Sequence, residues 1–374
     1  MSLLPRRSRP GTHALRRSAG KISVLGALVT TLSLFTASVP ASAYDLPWWP
    51  GPSTPAFNSL TSASNPDWMS RFPDSTGLGR LSIPGTHDTM AVHGGGLAPW
   101  YYQTQENHGD SADTLTAQLN AGIRAIDIRV RIVNNNTAFA IHHTNVYQNA
   151  NLDDVLTKAR SFLTAHPGET VLMSLHGECD GDTTEGGTGG LQIGKCVDDP
   201  SNATGPDRIR IFDSYLARYP GLFYAPTVTG TDTADTPTLG QARGHIVLTG
   251  FSGPRGQVYA GFGLTQWLPT PFIPWTECNL DTRWSLITAS LQQVAADTTN
   301  TIGGTGLSAS CPPFGATYTQ VANGYGGKQG MNQRLLDYLR TTAGHTGVIS
   351  MDWPGGRLID AIVAHNTTGS APAS

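Results

Sequence analysis

Residues 151–178 read NLDDVLTKARSFLTAHPGETVLMSLHGE. Leu152, Val155, Leu156, Ala159, Phe162 and Leu163 recur three and four apart, the spacing of one helix face. Asn151 stands where an N-cap accepts a backbone N–H, and Pro167-Gly168 halts the helix. The run that follows, TVLMSLHGE, is short and almost continuously apolar, the mark of a strand buried on both faces. A helix feeding a buried strand is the repeating unit of an α/β fold.

The unit recurs in both directions. Upstream lie strands in RLSIPG, IRAIDIRVRIV and FAIHH, with a helix in DTLTAQLNAG ended by Gly122. Downstream, RIRIFDSYLARYP, RWSLITASLQQVAAD, GMNQRLLDYLRTTAG and RLIDAIVAHN read as helices, and GHIVLTGF and GVISMDWPG as strands. Six strands alternating with helices predict a parallel sheet under helices. The fold class is α/β, a single distorted (β/α)8 TIM-type barrel, irregular or incomplete. A doubly wound sheet is the alternative, but no Gly-rich dinucleotide turn supports it.

The flanks narrow the class. Arg6, Arg7, Arg16, Arg17 and Lys21 are among the basic residues that precede the run ISVLGALVTTLSLFTASVP and then Ala-Ser-Ala. This is the pattern of a secretory signal peptide over 1–43, cleaved near Ala43. The competing reading, a retained anchor, needs a longer apolar span. Arg16-Arg17 hints at twin-arginine export against the general route. The catalytic barrel is expected over 44–366 and a flexible tail over 367–374. Net charge is −3 with no basic block, which excludes a nucleic-acid partner. The secreted chain is expected to be a monomer. Four cysteines (Cys179, Cys196, Cys278, Cys311) in an exported chain favour disulfides. Three pairings are possible, and the local one joins 179 to 196 and 278 to 311. No Cys-x-x-Cys spacing supports zinc.

In a barrel, chemistry sits at the C-terminal ends of strands. Those ends carry His87-Asp88, then Asp127, Arg129 and Arg131, then His142-His143, His176 with Glu178 beyond, and Asp352. Asp127, Arg129 and Arg131 share a strand face, whereas His142 and His143 point oppositely, so only one faces the centre. Singly, each residue also fits a structural role: a hydrogen-bonded histidine, a buried ion pair, a capping aspartate. Together they form a costly set of polar groups unless they satisfy one another or a ligand. Two imidazoles and a guanidinium suit displacement at phosphorus: one accepts a proton, one donates, and the cation holds the growing charge. Metal-assisted hydrolysis is the alternative, but Arg129 lies where a cation would bind.

The motifs SIPGTHDT, GIRAIDIRVR, IHH with VY after it, and HPGETVLMSL resemble the X-region of phosphatidylinositol-specific phospholipase C, above all its bacterial members. The likeness is dense from Leu81 to Leu175 and returns at LGQARGHIVL and GVISMDW. It implies an incomplete barrel that cleaves phosphatidylinositol. The inositol 2-hydroxyl attacks the phosphate, releasing diacylglycerol and a cyclic inositol phosphate. By that resemblance His87 is the general base, His143 the general acid, and Arg129 the phosphate ligand of metal-independent members, with no cofactor. Asp88 pairs with Arg129, Asp127 supports them, and Asp352 orients His87.

The chain also departs from the pattern. His176 replaces a lysine expected near the inositol, Phe251 stands where an arginine is expected, and Glu277 is a loose counterpart of a missing head-group residue. With Glu178 these are the candidate substrate contacts. A glycosylated anchor or another head group is therefore the alternative substrate; a metal-dependent glycerophosphodiester phosphodiesterase and a lipid-binding barrel without catalysis are rival functions. GFGLTQWLPTPFIPW at 261–275 offers Trp267, Phe272 and Trp275 for transient contact with a phospholipid surface. Covering the barrel core is the other use of those aromatics. Trp48-Trp49 is a second candidate.

Overall fold

The computed structural model describes residues 56–94, 103–133, 137–144, 146–178, 205–224, 236–252, 258–263, 267–311 and 315–366. Every described residue belongs to one compact unit within Ala41–Ser374. The expected signal peptide, Trp48-Trp49, Cys179, Cys196 and the tail lie outside the described residues.

The elements follow in chain order: β1 (Ser82–Thr86), α1 (Ser111–Ala121), β2 (Ala125–Val133), β3 (Ala138–His143), β4 (Val146–Asn151), α2 (Leu152–Ala165), β5 (Val171–Gly177) and α3 (Gly205–Arg218). Then come α4 (Leu239–Ala242), β6 (Ile246–Ser252), β7 (Val258–Gly263), α5 (Leu280–Ala296), β8 (Gly304–Gly306) and α6 (Tyr318–Asn323). A two-residue pair β9 (Gly324–Tyr325) and β10 (Lys328–Gln329), α7 (Met331–Leu339), β11 (Gly347–Met351) and α8 (Gly356–Ala364) complete the chain.

Nine strands form one sheet in the order β7-β6-β5-β2-β1-β11-β8, with β3 on β2 and β4 on β3. It curls as an open half-barrel. The pairs β1/β2, β1/β11, β2/β5, β5/β6 and β8/β11 are parallel, as expected. The expectation of an all-parallel sheet is corrected at three strands: β3, β4 and β7 pair antiparallel. Only residues 134–137 separate β2 from β3, too few for a helical crossover, so β3 pairs beside it antiparallel. The six expected strands are all present; β4, β7 and β8 add to them. β8 is Gly-Thr-Gly, with no apolar run to announce it.

α2 begins as its sequence implies. The Asn151 side chain accepts from Asp154 N and the Asp154 side chain accepts from Asn151 N, a reciprocal cap. Its buried face is the expected set, Leu152, Val155, Leu156, Ala159, Phe162 and Leu163. At Gly85 a Cβ would meet Ala125 Cβ at 2.9 Å, so only glycine lets β1 lie this close to β2. Below the sheet, Arg124 and Glu169 form a fully buried ion pair at 2.8 Å. Glu169 also accepts from Met69 N and Ser70 N. Arg124 donates to Leu119 O, Ile123 O and Pro66 O. Cys278 and Cys311 form a disulfide, one half of the local pairing.

Candidate active site

β2 is the site's backbone, and its one edge serves two strands. β1 runs up that edge as far as Ile126, and β3 comes down it from Val133 to Val130. The two strands meet tip to tip. His87-Asp88 stands at one tip and His143 at the other, so the third histidine-bearing strand reaches the site by returning to it. This corrects the expectation that His143 sits at an outward-running strand end.

The loop after β1 is held in a costly shape. Asp88 has φ 42°, a left-handed conformation that is uncommon outside glycine. Asp88 N–H donates to Asp127 Oδ2 (3.1 Å), Gln105 Nε2 donates to His87 O (2.7 Å), and Thr104 Oγ1 donates to Asp88 O (3.1 Å). Such strain persists where neighbours over-determine it. The same holds at Trp353, φ 47°: Asn332 Nδ2 donates to both Asp352 O and Trp353 O, at 3.0 Å each. These ties fix the direction of Asp352.

The resulting cluster is compact. His87 Nδ1 lies 2.9 Å from Asp352 Oδ1. His87 Nε2 and His143 Nε2 both face Asp88 Oδ2, at 3.4 and 3.1 Å. Asp88 Oδ1 is 2.7 Å from Arg129 Nε. Arg129 also donates from Nη2 to Asp127 Oδ2 (3.0 Å) and from Nη1 to Glu178 Oε1 (3.1 Å). Asp127 Oδ1 accepts from Ser174 Oγ at 3.2 Å, with His176 Nε2 at 3.4 Å.

Charge sets the protonation. Burial pulls the His87 imidazole down, but Asp88 and Asp352 outweigh it and raise the pKa to about 9. Burial works against ionised Asp88 and Asp127, yet the Arg129 guanidinium and neighbouring imidazoles hold both well below the usual carboxylate range. Arg129, in turn, is raised despite its burial by Asp127, Asp88 and Glu178. Burial and then the Arg131 charge push His142 down to about 3. His142 faces Tyr147, with ring centroids 5.5 Å apart, while His143 turns inward. His176 is lowered by burial against the pull of Asp127.

His87, Asp88 and Asp127 offer atoms close enough together to share a cation. Arg129 already engages both carboxylates, so a fixed positive charge stands where an ion would have to enter.

Beside the cluster Gly85, Ala125, Ser174, Gly250, Gly306 and Ser350 share the lining of the half-barrel with Ile126, Leu172 and Val348. Barrel interiors are ordinarily filled by bulky branched side chains. The small ones leave a cavity of about 350 Å³ that reaches Asp127 and His176. Trp267 forms one wall, its indole N–H donating to Thr249 O at 3.3 Å.

Of the expected substrate contacts, Glu277 stands apart from the cluster. Glu277 Oε1 accepts from Asn279 N at 2.7 Å in the turn before α5, and no contact joins it to the cluster among the described residues. Phe251 sits on β6 in register with Leu175, but its side chain lies outside the described residues. Phe272 is 81% exposed and Trp275 43%, so neither covers the core, whereas Ile273 between them packs on it. Trp267, 42% exposed, divides its surface between cavity and solvent.

Tyr318, Ser174, Thr104 and Asn332 also stand at the site, and no motif in the sequence singles them out. Ser174 was open to strand parity, being two residues before His176. Tyr318 carries no local signal beyond the Thr317–Gln320 cap of a short helix.

The family model described as "Phosphatidylinositol-specific phospholipase C, X domain" matches residues 81–187. The 1-phosphatidylinositol phosphodiesterase of Listeria monocytogenes is 30% identical over 344 residues, covering 90% of this chain and 94% of the relative. That of Staphylococcus aureus is 31% identical over 192 residues, 50% of this chain and 51% of the relative. The solved phosphatidylinositol-specific phospholipase C from Listeria monocytogenes superposes with a TM-score of 0.62 at 26% identity, over 82% of this chain and all of that one.

Proposed function

Because the chain belongs to the phosphatidylinositol-specific phospholipase C family, a family of phosphodiester-cleaving enzymes, we propose that it splits phosphatidylinositol without a metal ion, into diacylglycerol and a cyclic inositol phosphate. The observation that carries this reading is the pair of imidazole Nε2 atoms converging on Asp88 Oδ2, with Arg129 on the other oxygen of the same carboxylate.

The substrate phosphate sits between the imidazoles, with its anionic oxygens on Arg129. Neutral His87 takes the proton of the inositol 2-hydroxyl through Nε2. That oxygen attacks phosphorus, and the bond from phosphorus to the glycerol oxygen breaks. Protonated His143 gives its proton to the departing glycerol oxygen. Each proton transfer is worth roughly 10²- to 10⁴-fold. Asp352 holds the His87 tautomer that presents Nε2 and stabilises the imidazolium once formed. Arg129, held by three carboxylates, supplies a charge that needs no reorganisation as the phosphorane develops.

The head group enters the cavity beside Asp127 and His176, where hydroxyl and small side chains suit an uncharged polyol. Phe272 and Trp275 project from the rim and dock on the phospholipid surface. No helix among the described residues is long and apolar enough to cross a membrane. The basic and apolar segment over 1–43, with its Ala-Ser-Ala cleavage site, directs the enzyme to secretion.

Phosphorus NMR of phosphatidylinositol incubated with the enzyme in excess EDTA tests the reading. A five-membered cyclic phosphate resonance is expected. A glycerophosphodiester-type product, or turnover abolished by EDTA and restored by a divalent cation, would overturn it.

A further inference from the structure

Tyr318 opens α6, where Thr317 Oγ1 accepts from Gln320 N and Gln320 Oε1 accepts from Thr317 N. The cap fixes the first turn and so the origin of the Tyr318 side chain. Its ring lies 5.7 Å from the His87 ring and 5.7 Å from the His143 ring, centroid to centroid, inclined at 42° and 57°. The two imidazoles arrive on different strands from opposite directions. Asp88 joins them on one side through a single carboxylate oxygen. Tyr318 spans them on another.

The phenol is anchored away from the sheet. Its hydroxyl bonds the Ser310 side chain. Ser310 N donates to Trp275 O (3.1 Å), and the next residue, Cys311, is joined to Cys278. Burial, and after it Asp88 and Asp352, hold the phenol protonated far above its ordinary range, so it is no base here. What it offers is a rigid apolar plate with an electron-rich face, suited to the flank of an imidazolium.

We infer that Tyr318 is a positioning residue for the acid–base pair: its ring fixes the His87 and His143 imidazoles against Asp88 and keeps water from the carboxylate they share. The inference rests on the proposed function for its catalytic consequence alone; its effect on the imidazoles is independent of substrate.

The groups facing His87 are Asp88 on its own loop, Asp352 after β11, Asp127 and Arg129 on β2, His143 through Asp88, and Tyr318 itself. Water admitted where the ring now lies weakens both the downward push of burial and the upward pull of the carboxylates. The pull is the larger, so the net shift shrinks and His87 moves from about 9 toward 6.5.

The test uses full-length secreted enzyme with its disulfide intact, as wild type, Tyr318→Phe and Tyr318→Ala. His87 is titrated by NMR, its signal assigned by its loss in His87→Ala, and kinetics are run on phosphatidylinositol vesicles. In Tyr318→Ala the His87 titration falls by about one unit or more. Its kcat drops about 10- to 100-fold with KM little changed. Tyr318→Phe keeps both within about twofold. A folded Tyr318→Ala with wild-type titration and kcat overturns the proposal. So does a Tyr318→Phe as impaired as the alanine variant, since the hydroxyl would then be the active part. If Tyr318→Ala does not fold, Tyr318→Thr, which still opens the ring's volume to water, takes its place with the same criteria. Failure of the wild type to cleave phosphatidylinositol would sink the proposed function and leave the titration to decide Tyr318.

Discussion

At the scale of single residues the site works by opposing two large effects on one imidazole. His87 loses solvation on burial and gains two carboxylates, and the carboxylates prevail, giving about 9. The resting enzyme therefore holds His87 protonated at neutral pH, and the base form grows as pH rises toward that value. The acid limb of kcat/KM is expected above the ordinary histidine range. Asp352→Asn removes the negative charge that faces His87 Nδ1 at 2.9 Å, leaving Asp88 as the remaining anion beside the ring. The limb should move to lower pH while kcat falls, because the tautomer is no longer fixed. A pH–rate profile of the two enzymes checks this, and an unmoved limb would refute the assignment of His87 as base. The same shift bears on stability. A histidine raised in the folded state contributes fully below its unfolded value of about 6.5 and loses that contribution as pH climbs through about 9. Asp88 and Asp127, held low, contribute above the unfolded carboxylate range and lose that as pH falls. Thermal stability should thus decline on both sides of a plateau in the mildly acidic range.

At the scale of elements, the geometry follows from β1 and β3 sharing one edge of β2, and from the glycines of β6 and β8. A Cβ built at Gly306 or Gly250 meets nothing within 4 Å, in a strand conformation open to any residue. Gly306→Val should therefore fold with wild-type or slightly raised thermal stability, a β-branched residue favouring the strand. It should also fill part of the cavity, raising KM for phosphatidylinositol several-fold. Unchanged kinetics in a stable Gly306→Val protein would show that the head group lies elsewhere. These elements differ in how plainly the sequence announces them. α2 was legible to its cap because Asn151, the apolar stripe and Pro167-Gly168 all act within one turn or two of themselves. β5, β6 and β11 were legible because strands buried on both faces must be apolar throughout. The direction of β3 was not, since a run as short as FAIHH reads the same either way, and the short return that reverses it carries no period. β8 was invisible because its glycines serve cavity space. Strand parity brought Asp127 and Arg129 to one face and separated His142 from His143. The choice between those two histidines needed the likeness to known enzymes, and the His87–Asp88–His143 convergence needed three dimensions. Tyr318 enters from a six-residue helix far along the chain, where neither parity nor spacing speaks.

At the scale of the whole molecule, the two ends of the half-barrel bury charge for different purposes. Above, the carboxylates around Arg129 keep cations and protons poised at exposed atoms of a cavity. Below, Arg124 and Glu169 are wholly enclosed, with the guanidinium under the Phe162 ring at 4.5 Å and its remaining donors on backbone carbonyls. Burial lowers Arg124 to about 10 even with Glu169 opposing the fall. At pH 7 the arginine is charged, so its partner's charge is needed. Glu169→Gln leaves an uncompensated buried cation and weakens the acceptors of Met69 N and Ser70 N. The expected cost is about 3–5 kcal/mol. Glu169 accepts backbone bonds that anchor the segment before β1 and stands at the N-terminal end of β5, whereas the reacting groups stand at the opposite end. In such barrels the N-terminal face governs stability and the C-terminal face chemistry. Chemical denaturation should therefore show the loss in full, while kcat per folded molecule, measured well below the melting temperature, stays at the wild-type value. A Glu169→Gln enzyme that kept its stability would mean the ion pair is replaceable by hydrogen bonds alone. One that kept its stability but lost turnover would mean the two ends are mechanically coupled through β2, which starts directly after Arg124 and carries Asp127 and Arg129 of the proposed phosphate site.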